Sequence, residues 1–93
     1  RRYRDVNWYA GQLNISSKYL NVITKGITGH SAKTLVDHYV VLKLKQELSG
    51  TDKSLKQLAW DYNFCDASFF TRYFRQHTGL TPRVWRLRET ELD

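Results

Sequence analysis

The chain has 93 residues, enough for one domain with a modest core, and its three Trp, six Tyr and four Phe are too many for a disordered tail. Fifteen Lys and Arg against nine Asp and Glu leave a formal charge of +6, which favours a polyanionic partner: nucleic acid, an anionic membrane surface or an acidic protein. A single Cys65 excludes an internal disulfide, and no apolar run approaches the roughly 20 residues that cross a bilayer, so a reducing cytoplasm and no membrane are expected.

In chain order, Asp5 is placed to cap a helix from Val6 to about Leu13, and Asn14 stands where the chain must leave it. Asn tolerates the left-handed conformation of such an exit, second only to Gly. Ser16 caps a second helix that stops at Gly29. Ser31 then caps a third, with Ala32 at its first position, which runs to about Leu48 and ends over Ser49-Gly50-Thr51. Its Leu35, Val36, Tyr39, Val40, Val41, Leu42, Leu44 and Leu48 occupy most of the helical wheel, which predicts burial on several sides. Asp52 or Ser54 caps a fourth helix from Leu55 to about Tyr62, followed by Asn63. Asp66 caps a fifth that stops at Gly79. Thr81 caps a last one with Pro82 at its first position, where a missing N–H costs nothing.

The order of signals repeats. Ala10, Leu13, Asn14 and Ile15 match Ala59, Tyr62, Asn63 and Phe64 at an offset of 49. After one inserted residue, Cys65, the offset becomes 50, and Leu20, Ile23, Lys25, Thr28, Gly29, Ser31 and Lys33 match Phe70, Tyr73, Arg75, Thr78, Gly79, Thr81 and Arg83. Each copy reads as a short helix, a tight turn, a longer helix and a Gly stop, the pattern of a helix-turn-helix. The third helix connects the copies.

At 100° per residue, Lys18, Asn21, Val22 and Lys25 share one face of the first copy's longer helix, with Leu20, Ile23 and Ile27 opposite as its core side. In the second copy Ser68, Thr71, Arg72 and Arg75 are on the free face, and Phe70, Tyr73 and Phe74 on the buried one. No Asp or Glu occurs between Asp5 and Asp37, or between Asp66 and Glu89. Arg and Lys donate to guanine O6 and N7, Asn pairs with adenine, and a face without carboxylates is not repelled by phosphate. A polar face on an isolated amphipathic helix is usually only solvated; here the same face, cap and Gly stop recur in both copies.

Other chemistries find little support. There is no Gly-rich phosphate loop, paired-carboxylate motif or ligand-spaced Cys/His cluster, so neither an enzyme nor a metal site is expected. His30, His38 and His77 are scattered, and Cys65 has no evident activating base nearby. Aromatic stacking on single strands is a further reading, but Trp8, Tyr39, Phe64, Phe70, Phe74 and Trp85 fall on faces read as buried. Trp60 and Phe69 do not, Phe69 lying at the margin between core and free face. A protein-interaction module with an acidic partner is the remaining alternative.

The run Ser54-Leu55-Lys56-Gln57-Leu58-Ala59, then Asn63-Phe64-Cys65-Asp66-Ala67-Ser68-Phe69-Phe70 and Phe74-Arg75-Gln76-His77-Thr78-Gly79-Leu80-Thr81-Pro82, resembles the long and specific signature of the AraC/XylS family of transcription regulators. Tyr9-Ala10 and Ser16-Ser17-Lys18-Tyr19-Leu20 are similar to its less regular N-terminal motif, and the resemblance covers about Arg4 to Arg86. Asn63 replaces the family's usual turn Gly, Thr24 stands where a core Phe is usual, and of the opening helix only Arg1 to Arg4 remain, as its last turn.

The resemblance implies an all-α DNA-binding domain over 1–93 with two homeodomain-like lobes. It places the first helix-turn-helix motif at 5–30, the linker helix at 31–49, the second motif at 52–80, and a C-terminal helix and acidic tail at 81–93. It implies a bacterial regulator bound to a double-stranded operator, with two recognition helices reading successive major-groove segments, their centres roughly 34 Å apart. Carried residue by residue, the base-facing positions are Lys18, Asn21, Val22 and Lys25, then Ala67, Ser68, Thr71, Arg72 and Arg75. Ser16, Ser17, His77 and Arg83 are expected to make weaker phosphate contacts. RNA polymerase is the further partner of an activator, no cofactor is implied, and the protein is placed in the cytoplasm, at the nucleoid when bound. The absence of any Met and of a signal-like segment suggests a piece of a longer polypeptide, with sensing or dimerisation in a module elsewhere.

Overall fold

A computed structural model describes residues 4–92, with side chains over 4–88. Of Arg1 to Arg4, read above as the last turn of an opening helix, residues 1–3 lie outside the described residues and Arg4 is in a turn; the acidic side chains of the tail also lie outside the described residues. Six helices follow in order: α1 (Val6–Gln12), α2 (Ser17–Thr28), α3 (Ala32–Gly50), α4 (Leu55–Asp61), α5 (Ala67–Thr78) and α6 (Pro82–Leu92). No strand occurs among the described residues, as an all-α fold requires. The chain divides into two compact units, Arg1–Val40 and Val41–Asp93, the division falling inside α3.

The caps form where the short polar side chains put them. Asp5, Ser16 and Asp66 accept from the backbone N–H of Asn7, Tyr19 and Phe69. Ser31 and Thr81 serve Thr34 and Val84 in the same way. Of the two candidates before α4, Ser54 is the cap, accepting from Gln57 at 3.0 Å. At the exits, Asn14 (φ 57°) and Asn63 (φ 61°) are left-handed. The N–H of Ile15 then reaches back to the carbonyl of Ala10 at 3.0 Å, and that of Phe64 to Ala59 at 2.9 Å. These bonds satisfy carbonyls that the helix end leaves open and turn the chain sharply.

The two cores differ in weight. In the second unit Phe70, Phe74, Leu44, Leu48 and Leu58 are fully buried, and Phe64 stacks on Phe70 with ring centroids 5.3 Å apart. Phe74 meets Trp85 edge-on at 6.0 Å, and the Lys45 ammonium lies 4.8 Å from the Trp85 ring. Arg86 donates from Nε to the carbonyl of Leu48 at 2.9 Å and from Nη2 to that of Thr51 at 3.4 Å, closing the end of α3 where backbone donors run out. Lys53 bridges Asp61 at 3.2 Å and Glu47 at 3.6 Å. The hydrogen bond to Asp61, with the charges of Glu47 and Asp61, raises its pKa.

The first unit is thinner. Ala10, Ala32, Val36 and Val40 are buried, but α2 contributes no buried residue. Leu20 and Ile23 are half-buried, and Ile27, assigned to the core side by the wheel, is 80% exposed. The wheel fails there because α2, at about 18 Å, outruns the seven-residue α1, at about 10 Å, by more than a turn. The counterpart of Ile27 in α5 is His77, also exposed. The all-round burial expected of α3 fails likewise: Val36, Val40, Val41, Leu44 and Leu48 form a buried stripe, whereas Tyr39 and Leu42 on the opposite side are about half exposed, at 47% and 53%. Tyr39, Leu35, Tyr9, Leu13, Leu20 and Thr24 line an open apolar groove of about 260 Å³.

Thr24 is the counterpart of Phe74, so the groove lies where the second unit has a buried ring. Phe74→Ala should cost about 3–5 kcal/mol, the usual price of an aromatic cavity. Thr24→Phe should instead raise stability by roughly 1 kcal/mol through added apolar burial. Denaturant midpoints of the two variants check this; a loss of stability in Thr24→Phe would mean that the groove does not admit the ring.

Candidate nucleic-acid interface

Burial of Phe70, Tyr73 and Phe74 fixes which side of α5 faces outward. That side presents Ser68, Arg72 and Arg75, all exposed, with Ala67 and Thr71 half-buried at its edge. On α2, Lys18, Val22 and Lys25 are exposed and Asn21 is half-buried. Neither helix carries an acidic residue. Lys25, and Arg75 with His77, lie in the last turns, where the helix dipole favours positive charge. The αL residues Gly29 (φ 79°) and Gly79 (φ 83°) end the helices, their N–H groups donating to the carbonyls of Lys25 and Arg75.

Asn21 has a second occupation that the sequence hides. Its Oδ1 accepts from the backbone N–H of Ala32 at 2.9 Å, tying α2 to the first residue of α3. One of the two Oδ1 lone pairs is thereby taken, so a paired donor and acceptor contact to adenine would have to share that oxygen with the tie. In the second copy Thr71 matches Asn21 and Pro82 matches Ala32. Proline has no N–H to satisfy, so Thr71 carries no such duty.

The residues expected at phosphates are dispersed. Ser16 is exposed, but its Oγ accepts the Tyr19 N–H at 3.0 Å as the α2 cap. Ser17 donates to Asn7 Oδ1. Arg83 is exposed at the start of α6. His77 packs against Tyr73 with ring centroids 4.5 Å apart, about 140° round the helix from Arg72.

Two exposed side chains were not on the free face as read from sequence. Gln76 follows Arg72 by four residues, and with Phe69, Arg72 and Tyr73 it lines a shallow depression of about 270 Å³. That spacing was visible in the sequence. Phe69 is 38% exposed, with the Arg72 guanidinium carbon 5.7 Å from its ring centroid. Elsewhere, Trp60 is 78% exposed and Cys65 is a free, exposed thiol. Among the described residues no three His, Cys, Asp or Glu come together as a metal site, and no helix is long and apolar enough to cross a membrane.

The model of a family described as a helix-turn-helix domain matches residues 9–88. The transcriptional activator RhaS of Mannheimia succiniciproducens is 24% identical over 86 residues, covering 90% of the chain; the match spans 32% of that protein's length. Among solved structures, the C-terminal domain of the response regulator AraT from Geobacillus stearothermophilus is similar, with a TM-score of 0.78 and 22% identity over 94% of this chain and 73% of that one. An AraC-type regulator from Chromobacterium violaceum gives a TM-score of 0.77 at 22% identity, covering 91% and 76%. The DNA-binding domain of AdpA, solved with a target DNA, gives 0.74 at 21% identity, covering 90% and 76%.

Removing the α2–α3 tie tests its weight. Asn21→Ala should lower stability by about 1 kcal/mol by stranding the Ala32 N–H. Asn21→Asp, which keeps an acceptor at a helix N-terminus, should retain most of it. Thermal melts of the three proteins decide; an unchanged Asn21→Ala would show that the bond contributes nothing.

Proposed function

The chain belongs to the AraC-type helix-turn-helix family of DNA-binding regulators, and from that premise we propose that α2 and α5 each enter the major groove of one operator duplex and read successive segments. The observation that carries this is the duplicated longer helix, its apolar side buried in α5 and half-buried at Leu20 and Ile23 in α2, and presenting an acid-free cationic side in both. Lys18, Val22, Lys25 and the Asn21 amide serve the first segment. Ala67, Ser68, Thr71, Arg72 and Arg75 serve the second, with Ser16, Ser17, His77 and Arg83 toward phosphates. The parent protein adds sensing or dimerisation in another module, contacts RNA polymerase if it activates, and works in the cytoplasm at the nucleoid.

Arg72 is the principal base reader in this account. It is exposed at the middle of α5, with Ser68, Thr71 and Arg75 a turn or less away. A guanidinium there donates bidentately to guanine O6 and N7. Lys25, in the last turn of α2, stands at the end of its segment and is the contrasting case, serving it through phosphate.

The experiment begins with selection of bound sequences from a random duplex pool, which should yield two defined blocks; enrichment of none would reduce the activity to architectural binding. On the selected site, Arg72→Ala should cost roughly 1–3 kcal/mol and relax preference at one base pair, with much less effect on random duplex. Lys25→Ala should weaken all duplexes alike and lower the salt slope by about one unit. If Arg72→Ala weakens every duplex equally, Arg72 is a phosphate anchor.

A further inference from the structure

We propose that Phe69 is a specificity-determining residue of the second unit: its ring holds the Arg72 guanidinium, and its exposed edge reads the C5-methyl of a thymine next to the guanine that Arg72 reads. This rests on Arg72 acting at a base edge, as proposed above.

Phe69 is not simply a core residue. Phe70 and Phe74 on the same helix are fully buried, whereas Phe69 keeps 38% of its surface in solvent. Its ring is backed by the buried Phe64, with centroids 6.0 Å apart and planes at 40°. The Arg72 guanidinium also lies over the ring, 5.7 Å from its centroid and within reach of cation–π attraction. Phe69 and Arg72 are three residues apart, hence neighbours on the helix surface. Both line the same shallow depression with Tyr73 and Gln76, so ring and guanidinium open to the same side.

The consequences for recognition are two. A free Arg side chain loses much rotamer freedom when it locks onto a base; one already resting on a ring loses less, which favours a single aim. The ring also adds what the guanidinium lacks, an apolar surface for the thymine methyl, which projects from the same groove edge as guanine O6 and N7. With bases about 3.4 Å apart along a strand, a ring 5.7 Å from the guanidinium carbon reaches within two base steps of the guanine. The duplication supplies the contrast: the matched pair in α2 is Tyr19 and Val22, which has an aromatic ring but no cation to hold. The arrangement is therefore specific to the second unit.

Deoxyuridine scanning tests this. In a duplex selected by the chain, each thymine is replaced singly by deoxyuridine, which removes one methyl group. Within two steps of the guanine whose preference Arg72→Ala relaxes, one replacement should lower wild-type affinity about fourfold, the worth of one buried methyl-sized group. Phe69→Ala should bind thymine and deoxyuridine duplexes equally. Phe69→Leu, apolar but without a π face, should keep the thymine preference and lose part of the guanine preference, whereas Phe69→Tyr should keep both. Circular dichroism checks that each variant is folded, and Phe69→Leu carries the test if Phe69→Ala is not. The proposal is overturned if no thymine stands within two steps of that guanine, if no replacement there matters, or if its effect persists unchanged in Phe69→Ala. These failures differ from failure of the reader assignment, in which Arg72→Ala relaxes no base pair at all.

Discussion

Between each short helix and the longer helix after it, one residue must pass through positive φ, and in both copies that residue is Asn. Most side chains resist this conformation because Cβ crowds the following carbonyl; Asn tolerates it by local hydrogen bonding. Once Asn14 or Asn63 is left-handed, the next N–H closes back on Ala10 or Ala59 and the chain reverses within a few residues. Ser16 or Asp66 then starts the longer helix in a fixed register. Register decides which side is buried, and the buried side of α5, with Phe70 and Phe74, decides that Arg72 faces outward. The candidate interface thus follows from two Asn residues that are not themselves part of it.

The copies share this geometry and use it unequally. In the second unit large rings fill the space behind α5, and an N–H-free Pro82 relieves Thr71 of structural work. In the first, Thr24 leaves a groove, α2 has no fully buried residue, and Asn21 compensates by holding the Ala32 N–H. Part of the first helix's polar face is therefore spent on holding the helix in place. A firmly seated α5 suits hydrogen bonding to base edges, where small misplacements are costly.

Much of this was legible in the sequence because it is governed by local chemistry. The caps Asp5, Ser16 and Asp66, the left-handed Asn14 and Asn63, and the stops at Gly29 and Gly79 depend on neighbours a few residues away. What was not legible depends on distance. The wheel placed Ile27 and Tyr39 inward because it records angle and not whether a partner helix extends far enough. The bond from Asn21 to Ala32 spans eleven residues and that from Arg86 to Leu48 thirty-eight, and no periodicity encodes either. Phe69 could be placed at the margin from its angle and beside Arg72 from their spacing, but the approach of the guanidinium to the ring depends on side-chain rotamers that spacing does not fix.

The central claim, that α2 and α5 both read one duplex through its major groove, is tested most directly by methylation interference on a selected site. Dimethyl sulfate modifies guanine N7 in the major groove and adenine N3 in the minor groove, so one experiment compares the two. Interference is expected at guanine N7 within two clusters about one helical turn, 10–10.5 base pairs, apart on the same face of the DNA. Interference confined to adenine N3, or to a single cluster, would contradict it.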